Sequence, residues 1–185
     1  MKAREFDPRR LDVQAFAEAG AQLDGEQARA EWPRLAESGA ADAPQSDLPP
    51  VRWTLRGESR PVRGAPPQTW LHLKAEAQID LECQRCLQPV RTLLNAQRSF
   101  LFVAGEDAAA ELDADSEDDV LALTRALDVP ALVEDELLLS LPLVPKHDQC
   151  PSVPAMAASS DDTPAEAPPH PFAGLAALKG RVRPH

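Results

Sequence analysis

The sequence contains no tyrosine, and aromatic residues make up only 4% of its 185 residues. Its three cysteines are too few, and odd in number, for the disulfide framework of a small secreted protein. No apolar run approaches the roughly 20 residues that a membrane-spanning helix needs. Residues 1–8 carry charges with no apolar core behind them, which argues against a secretory signal. These absences predict a cytoplasmic protein that does not interact with a membrane.

Motifs that bind phosphates or activate a serine are also missing, because no Walker, G-x-G-x-x-G or G-x-S-x-G pattern is present. The acidic residues at 113–119 lie in a stretch with nothing to fix the octahedral geometry of a magnesium site. Two of the four histidines, His170 and His185, lie close to the C-terminal end of the sequence. We therefore predict a protein that is not an enzyme and has no small-molecule substrate.

Negative charge is concentrated in one segment of the chain. Residues 104–150 hold thirteen acidic and two basic side chains, so this segment alone equals the chain's net charge of −11. Nucleic-acid-binding proteins normally show a basic footprint, and residues 51–63 supply one with four arginines against one acid. Salt screens charges beyond about 8 Å, so a basic face and an acidic segment can coexist. The alternative is that both are ordinary solvated surface.

Alternation of apolar and polar residues gives the clearest structural signal. In residues 71–83 every second side chain is apolar, which is the period of a half-buried strand. Residues 51–56 alternate in the same way with Arg52 and Arg56 on the polar side, and residues 90–103 are predicted as a return strand. The pattern predicts an antiparallel sheet over 50–103 with one face in solvent.

Short helices and a loop are predicted to flank this sheet, which gives an α+β fold. Residues 1–48 are predicted to be helical, starting at a cap formed by Asp12. The acidic residues 104–122 are predicted to form a loop. A helix is predicted over 128–141, capped by Asp128, with its acidic residues 134–136 exposed near the N-terminal end.

The C-terminal part of the sequence has a different composition. Proline, alanine and serine dominate residues 151–170, which predicts a flexible linker between a single domain at 1–150 and the C-terminal end. Residues 171–180 are predicted to form a short helix with an apolar side. A helix of this length is marginal in water, so we expect it to need a partner surface.

Two pairs of metal-ligating residue types stand sixty residues apart. Cys83 and Cys86 form a C-x-x-C pair at the end of a predicted strand, and His147 and Cys150 form an H-x-x-C pair. Two thiolates at this spacing can hold one zinc ion from a tight turn, and the second pair could complete a tetrahedral set. Free thiols are the alternative. A thioredoxin-type redox site is disfavoured, because that motif opens a helix after a βαβ unit.

Three runs of sequence, in this order, resemble one known family. They are residues 81–89 with the cysteine pair, residues 133–148 followed by Cys150, and residues 171–179. The family is the bacterial large ribosomal RNA subunit accumulation protein family, YceD. The resemblance implies a non-catalytic cytoplasmic factor for the synthesis, processing or stability of 23S rRNA. It implies large-subunit rRNA or a pre-ribosomal particle as partner, and it strengthens the expectation of a structural zinc.

The charge pattern adds a hypothesis about contact. We hypothesise that a basic sheet face touches RNA through Arg52, Arg56, Arg85 and Arg91. The acidic segment would bind a basic ribosomal protein, or weaken the hold on RNA. The rival hypothesis is an acidic adaptor that binds a basic ribosomal protein without touching RNA. A third alternative is a redox or metal-delivery protein.

Overall fold

The computed structural model describes residues 5–151. The helices and strands of this range, in chain order, are α1 (Val13–Glu18), β1 (Gln22–Gln27), α2 (Pro33–Glu37), β2 (Val51–Val62), β3 (Ala65–Glu82), β4 (Pro89–Val103), α3 (Glu106–Asp113), β5 (Asp119–Ala122) and α4 (Val129–Leu139). Two short 3-10 turns lie at Arg29–Glu31 and Gln45–Asp47. The predicted α+β class is confirmed.

The strands form one sheet whose spatial order follows the chain order, from β1 to β5. Strands β1 and β2 pair antiparallel. Strands β2, β3 and β4 pair antiparallel in succession, as predicted for residues 50–103. Strand β5 pairs with the end of β4 in parallel, so the sheet is mixed rather than wholly antiparallel. Alternate residues of β3 are buried from Leu71 to Leu81, which confirms the pattern seen in the sequence.

Helices α1, α2 and α4 cover one face of the sheet. Their buried side chains, and those of the strands beneath them, form one apolar core that includes Phe16, Leu35, Leu55, Leu73, Ile79, Val133 and Leu137. Burial of each large apolar side chain contributes about 1.5–3 kcal/mol, so this layer is the main source of stability. Helix α1 lies so close to β2 that a Cβ atom at Gly57 would stand 2.8 Å from the Phe16 carbonyl oxygen.

The N-terminal part is less helical than the prediction for residues 1–48. Helix α1 begins at the predicted cap, where the Ala15 N–H donates to the Asp12 carboxylate at 3.0 Å. The following residues, however, form the edge strand β1. Strand β1 contains Gly25, which lies against the ring of Trp53, and a Cβ atom there would overlap the indole. This close approach explains why a glycine stands within the strand.

The acidic residues 104–122 are predicted to form a loop, but this prediction is wrong. In the structure they contain α3 and β5. Helix α3 packs Ala109 against Trp70 and Leu101 on the face of the sheet opposite the main core, and β5 adds Val120 to this second cluster. The acidic side chains around these small apolar contacts remain exposed. One corner of the predicted solvent face is therefore covered.

Helix α4 starts at its predicted cap, where the Ala131 N–H donates to Asp128 at 3.0 Å. Residues 134–136 are predicted to be exposed, but Glu134 and Glu136 are buried. Glu136 accepts from Arg98 Nε at 3.1 Å. Burial raises the pKa of Glu136, and the Arg98 guanidinium opposes this shift. The hydrogen bond between Glu136 and Arg98 thus connects α4 to β4.

Two predicted elements lie outside the described residues. They are the linker at 151–170, apart from Pro151, and the short helix at 171–180. The division of the chain near residue 150 stays a prediction. Within residues 5–151, no helix combines the length and apolar character needed to cross a membrane.

Candidate metal centre

The turn between β3 and β4 carries the first cysteine pair. The Cys83 N–H donates to the Gln88 carbonyl at 3.0 Å, and the Leu87 N–H donates to the Cys83 carbonyl at 2.9 Å. Leu87 has a φ of 60°, in the left-handed region, which allows the chain to reverse within a few residues. The turn buries both Cys83 and Cys86 at the end of the sheet.

The second pair arrives on the segment that follows α4. The Gln84 N–H donates to the Pro145 carbonyl at 2.9 Å, which fixes this segment against the turn. His147 Nε2 lies 3.1 Å from the Pro89 carbonyl oxygen, and because a carbonyl only accepts, Nε2 carries the proton. The other ring nitrogen, Nδ1, is then unprotonated and can bind a metal ion through its lone pair.

The four side chains meet in one small group. The ligand atoms of Cys83, Cys86, His147 and Cys150 all lie within 4.8 Å of one another. Cys83 Sγ is 3.8 Å from Cys150 Sγ, and Cys86 Sγ is 3.5 Å from His147 Nδ1. A tetrahedral zinc with ordinary bond lengths separates two sulfur ligands by about 3.8 Å and sulfur from nitrogen by about 3.6 Å. Both distances therefore fit zinc, and the group could bind it.

The surroundings of Cys83 and Cys86 shift the pKa values of these two thiols in opposite directions. Burial opposes ionisation of Cys83, but N–H donors from Arg85, His147 and Cys86 lower the pKa of this thiol to about 5. Burial, together with the neighbouring sulfurs of Cys150 and Cys83, raises the pKa of Cys86. Three thiolates so close together repel one another unless a positive ion lies between them. A divalent cation would remove this repulsion.

Arg85 belongs to this group and not to the sheet face on which the RNA hypothesis placed it. Its Nε donates to Cys150 Sγ at 3.0 Å, and its Nη2 donates to the His147 carbonyl at 3.0 Å. The hydrogen bond to the Cys150 sulfur raises the pKa of Arg85. A zinc ion with three thiolates and one imidazole carries a net negative charge, which this guanidinium would offset.

The other predicted arginines share the solvent face of the sheet. Arg91 donates two hydrogen bonds of 3.0 Å to the Asp80 carboxylate, and Arg52 lies 3.5 Å from Glu26. Arg56 and Lys74 form no ion pair with any residue in 5–151. Of these four basic side chains, two are thus paired and two are unpaired.

Lys74 was missing from the predicted site, although the alternation of β3 places it on the solvent side. A shallow depression of about 330 Å³ surrounds it and Arg56. Besides Arg98, the polar side chains that line this depression with them are Gln22, Thr54, His72, Gln97 and Ser99. Amides, hydroxyls and an imidazole beside two basic groups offer many hydrogen bonds to a polar ligand.

The cysteine and histidine pairs fall within one family match. A family model described as "Large ribosomal RNA subunit accumulation protein YceD" covers residues 71–179, more than half of the chain. The chain belongs to the YceD family. A YceD relative from Haemophilus influenzae, named large ribosomal RNA subunit accumulation protein YceD, is 39% identical over 119 residues. The alignment covers 61% of this chain and 68% of that relative. No solved structure matches significantly. The resemblance seen in the sequence is confirmed.

Proposed function

We propose that this YceD-family protein supports the accumulation of large-subunit (23S) rRNA in the cytoplasm as a non-catalytic factor. The observation that carries the proposal is the family match over residues 71–179, supported by the relative's name. Large-subunit rRNA or a pre-ribosomal particle is the proposed partner. The role would lie in the synthesis, processing or stability of that RNA.

Depletion of the protein is expected to lower the cellular ratio of large- to small-subunit rRNA. The measurement is quantification of both rRNAs in depleted cells, with a strain that re-expresses the protein as the control. A selective fall in the large-subunit rRNA, reversed on re-expression, supports the proposal. An unchanged ratio contradicts it, whatever the protein binds in vitro.

Within this function, we propose that Cys83, Cys86, His147 and Cys150 hold one structural zinc ion. Four protein ligands leave no open position for water or substrate, which is the arrangement of structural rather than catalytic zinc. Bound zinc would join the β3–β4 turn to the segment after α4. This arrangement supports a binding factor more than an enzyme.

We also propose that the solvent face of the sheet contacts RNA directly. Among Arg52, Arg56, Lys74 and Arg91 on this face, Arg56 and Lys74 are the two that form no ion pair with an acid in residues 5–151, and polar side chains surround them. Arg52 and Arg91 lie on the same face but are paired with Glu26 and Asp80, so their contribution would be smaller. Lys and Arg contacts to phosphates supply most sequence-independent affinity for nucleic acids.

The double variant Arg56→Gln/Lys74→Gln is expected to bind large-subunit rRNA fragments about tenfold more weakly. Losing two phosphate contacts should also reduce the slope of log affinity against log salt by about 1.5. The measurement is a binding titration at several salt concentrations. The matched control is Arg10→Gln/Arg125→Gln, which removes the same charge from exposed positions beside the Leu11–Leu127 bridge. Equal losses in both variants would show that net charge alone matters.

The acidic adaptor remains the second candidate, because α3 and the residues before β5 expose many acids and no base. Such a surface fits a basic ribosomal protein. A pull-down after nuclease treatment separates the candidates. An adaptor keeps its protein partner without RNA, whereas an RNA-contacting factor loses its particle.

A further inference from the structure

The turn between β1 and α2 carries two buried polar groups without a hydrogen-bond partner. Arg29 is 4% exposed and Trp32 is 2% exposed. The guanidinium nitrogens of Arg29 and the indole Nε1 of Trp32 are shielded from solvent, and no atom in residues 5–151 accepts a hydrogen bond from them. Folded proteins pair nearly all of their buried polar groups, so an unpartnered set on one turn points to a ligand.

The two side chains project from the same side of this turn. Residues Arg29–Glu31 form a 3-10 turn, which the Trp32 N–H closes by donating to the Arg29 carbonyl at 3.1 Å. Side chains three residues apart in a 3-10 turn eclipse each other. The turn therefore presents a guanidinium and an indole N–H side by side in the protein interior.

The positive charge of Arg29 has no direct counter-ion. A guanidinium stays protonated in proteins, and Arg29 forms no ion pair with any acid in residues 5–151. The acid whose charge acts on it is Glu134. Both carboxylate oxygens of Glu134 already accept hydrogen bonds, one from the Leu35 N–H at 3.1 Å and one from Arg34 Nε at 3.0 Å. Glu134 thus offsets the charge of Arg29 without a hydrogen bond to it.

The chemistry of the unpartnered atoms favours an anion over a water molecule. Every buried side-chain atom without a partner in the described range is an N–H donor, and no buried side-chain oxygen there lacks a partner. A water molecule could accept from these donors, but its own two hydrogens would also need acceptors. An anion only accepts, and it supplies the negative charge that a buried guanidinium requires.

We propose that Arg29 and Trp32 bind one small monovalent inorganic anion, with chloride as the common example. A single negative charge balances the single guanidinium. The cost of taking an ion out of water rises with its charge, so sulfate or phosphate would fit this buried turn less well. Only the folded chain holds both donors together, so the bound anion would stabilise the fold. In chloride-free buffer the guanidinium would stay without a direct partner.

Urea unfolding of the full-length protein at constant ionic strength tests this proposal. Sodium chloride replaces sodium gluconate in steps, so that only the identity of the anion changes. Once chloride exceeds its dissociation constant, the folded-to-unfolded ratio of the wild type should rise about tenfold for each tenfold increase in chloride. Equal stability in chloride and in gluconate, whose anion is much larger, would overturn the proposal.

Two arginine variants locate the chloride effect. Arg29→Met removes the guanidinium and should abolish the dependence of stability on chloride. The matched control is Arg125→Met, at an exposed position without an ion pair in residues 5–151, and it should keep the dependence of the wild type. A chloride dependence that persists in Arg29→Met would overturn the proposal, because the ion would then bind elsewhere.

Two tryptophan variants test the second donor. Trp32→Phe keeps an aromatic ring but loses the indole N–H, so chloride affinity should fall about tenfold. Trp70→Phe is the matched control, because the Trp70 indole donates to Gln68 at 3.2 Å and should not affect chloride. Equal chloride affinities in the two variants would remove Trp32 from the site.

Bromide gives a direct readout that does not depend on the stability of any variant. In wild-type crystals soaked in sodium bromide, anomalous scattering should place one ion within hydrogen-bond distance of the Arg29 guanidinium and Trp32 Nε1. A water molecule at these donors, with no anomalous signal, would overturn the proposal. None of these results depends on RNA binding or rRNA levels, so the proposed function is tested separately.

Discussion

The variant His147→Gln is expected to lose its zinc and about 4 kcal/mol of stability. Binding adds this much to the free energy of unfolding when free zinc is about 1000 times its dissociation constant. Losing the imidazole opens the tetrahedron and leaves three close thiols, while the hydrogen bond from Nε2 to the Pro89 carbonyl is also disturbed. The measurement is metal content per chain, followed by chemical unfolding with and without a chelator.

The matched control is His72→Gln. His72 is also a hydrogen-bonded histidine, but its hydrogen bonds involve none of the candidate metal ligands. Its ring contacts Glu58 and Ser99 on the solvent face of the sheet. This variant should retain the zinc of the wild type. Freshly purified wild type without zinc, and with all three thiols free to react, would contradict the metal centre. Reversible oxidation of Cys83 and Cys86 would then favour the redox alternative.

The variant Glu134→Gln is expected to lower the free energy of unfolding by about 1–3 kcal/mol, because it weakens hydrogen bonds to a buried carboxylate. Glu134 on α4 accepts from the Leu35 N–H at 3.1 Å and from Arg34 Nε at 3.0 Å. It also acts on Arg29, whose guanidinium is buried without a hydrogen-bond partner in the described range. Burial lowers the pKa of Arg29, and the charge of Glu134 opposes this shift. The measurement is urea unfolding, with the curves of all variants fitted to one common slope of unfolding free energy against urea concentration.

Two further variants separate the buried charge from general damage to α4. Asp135→Asn removes an acid that is 53% exposed and also pairs with Arg34, so it should lower stability by less than about 1 kcal/mol. The double variant Arg29→Met/Glu134→Gln removes the uncompensated guanidinium and should recover part of the loss. A double variant no more stable than Glu134→Gln alone would contradict the role assigned to Arg29.

The sequence predicts the sheet well where a single face is buried. The alternation of β3 survives in the structure because its alternate apolar side chains from Leu71 to Leu81 all lie in the core beneath the helices. Strand β1 and helix α3 escaped prediction because their burial is partial. Gly25 in β1 makes room for Trp53, and α3 buries only Ala109 among its acidic neighbours. Such contacts depend on partners that are distant in sequence.

The candidate metal centre could be predicted only in part, for the same reason. Spacing identifies Cys83 with Cys86 and His147 with Cys150, but only the packing of α4 on the sheet brings the two pairs together. Arg85 follows a strand of alternating polarity and so resembles a surface cation, whereas in the structure it donates to the Cys150 sulfur. A hydrogen bond to a residue 65 positions away leaves no local pattern.

The agreement between strand order and chain order has a consequence for synthesis. Strands β2, β3 and β4 each pair with the preceding strand, so each pair can close as soon as its second strand leaves the ribosome. Such sequential contacts close short loops and favour rapid folding. The cysteine–histidine group needs Cys150, so it can assemble only after the whole antiparallel sheet has emerged. Metal capture would then follow formation of the sheet, and it would distinguish chains that extend past residue 150 from shorter ones.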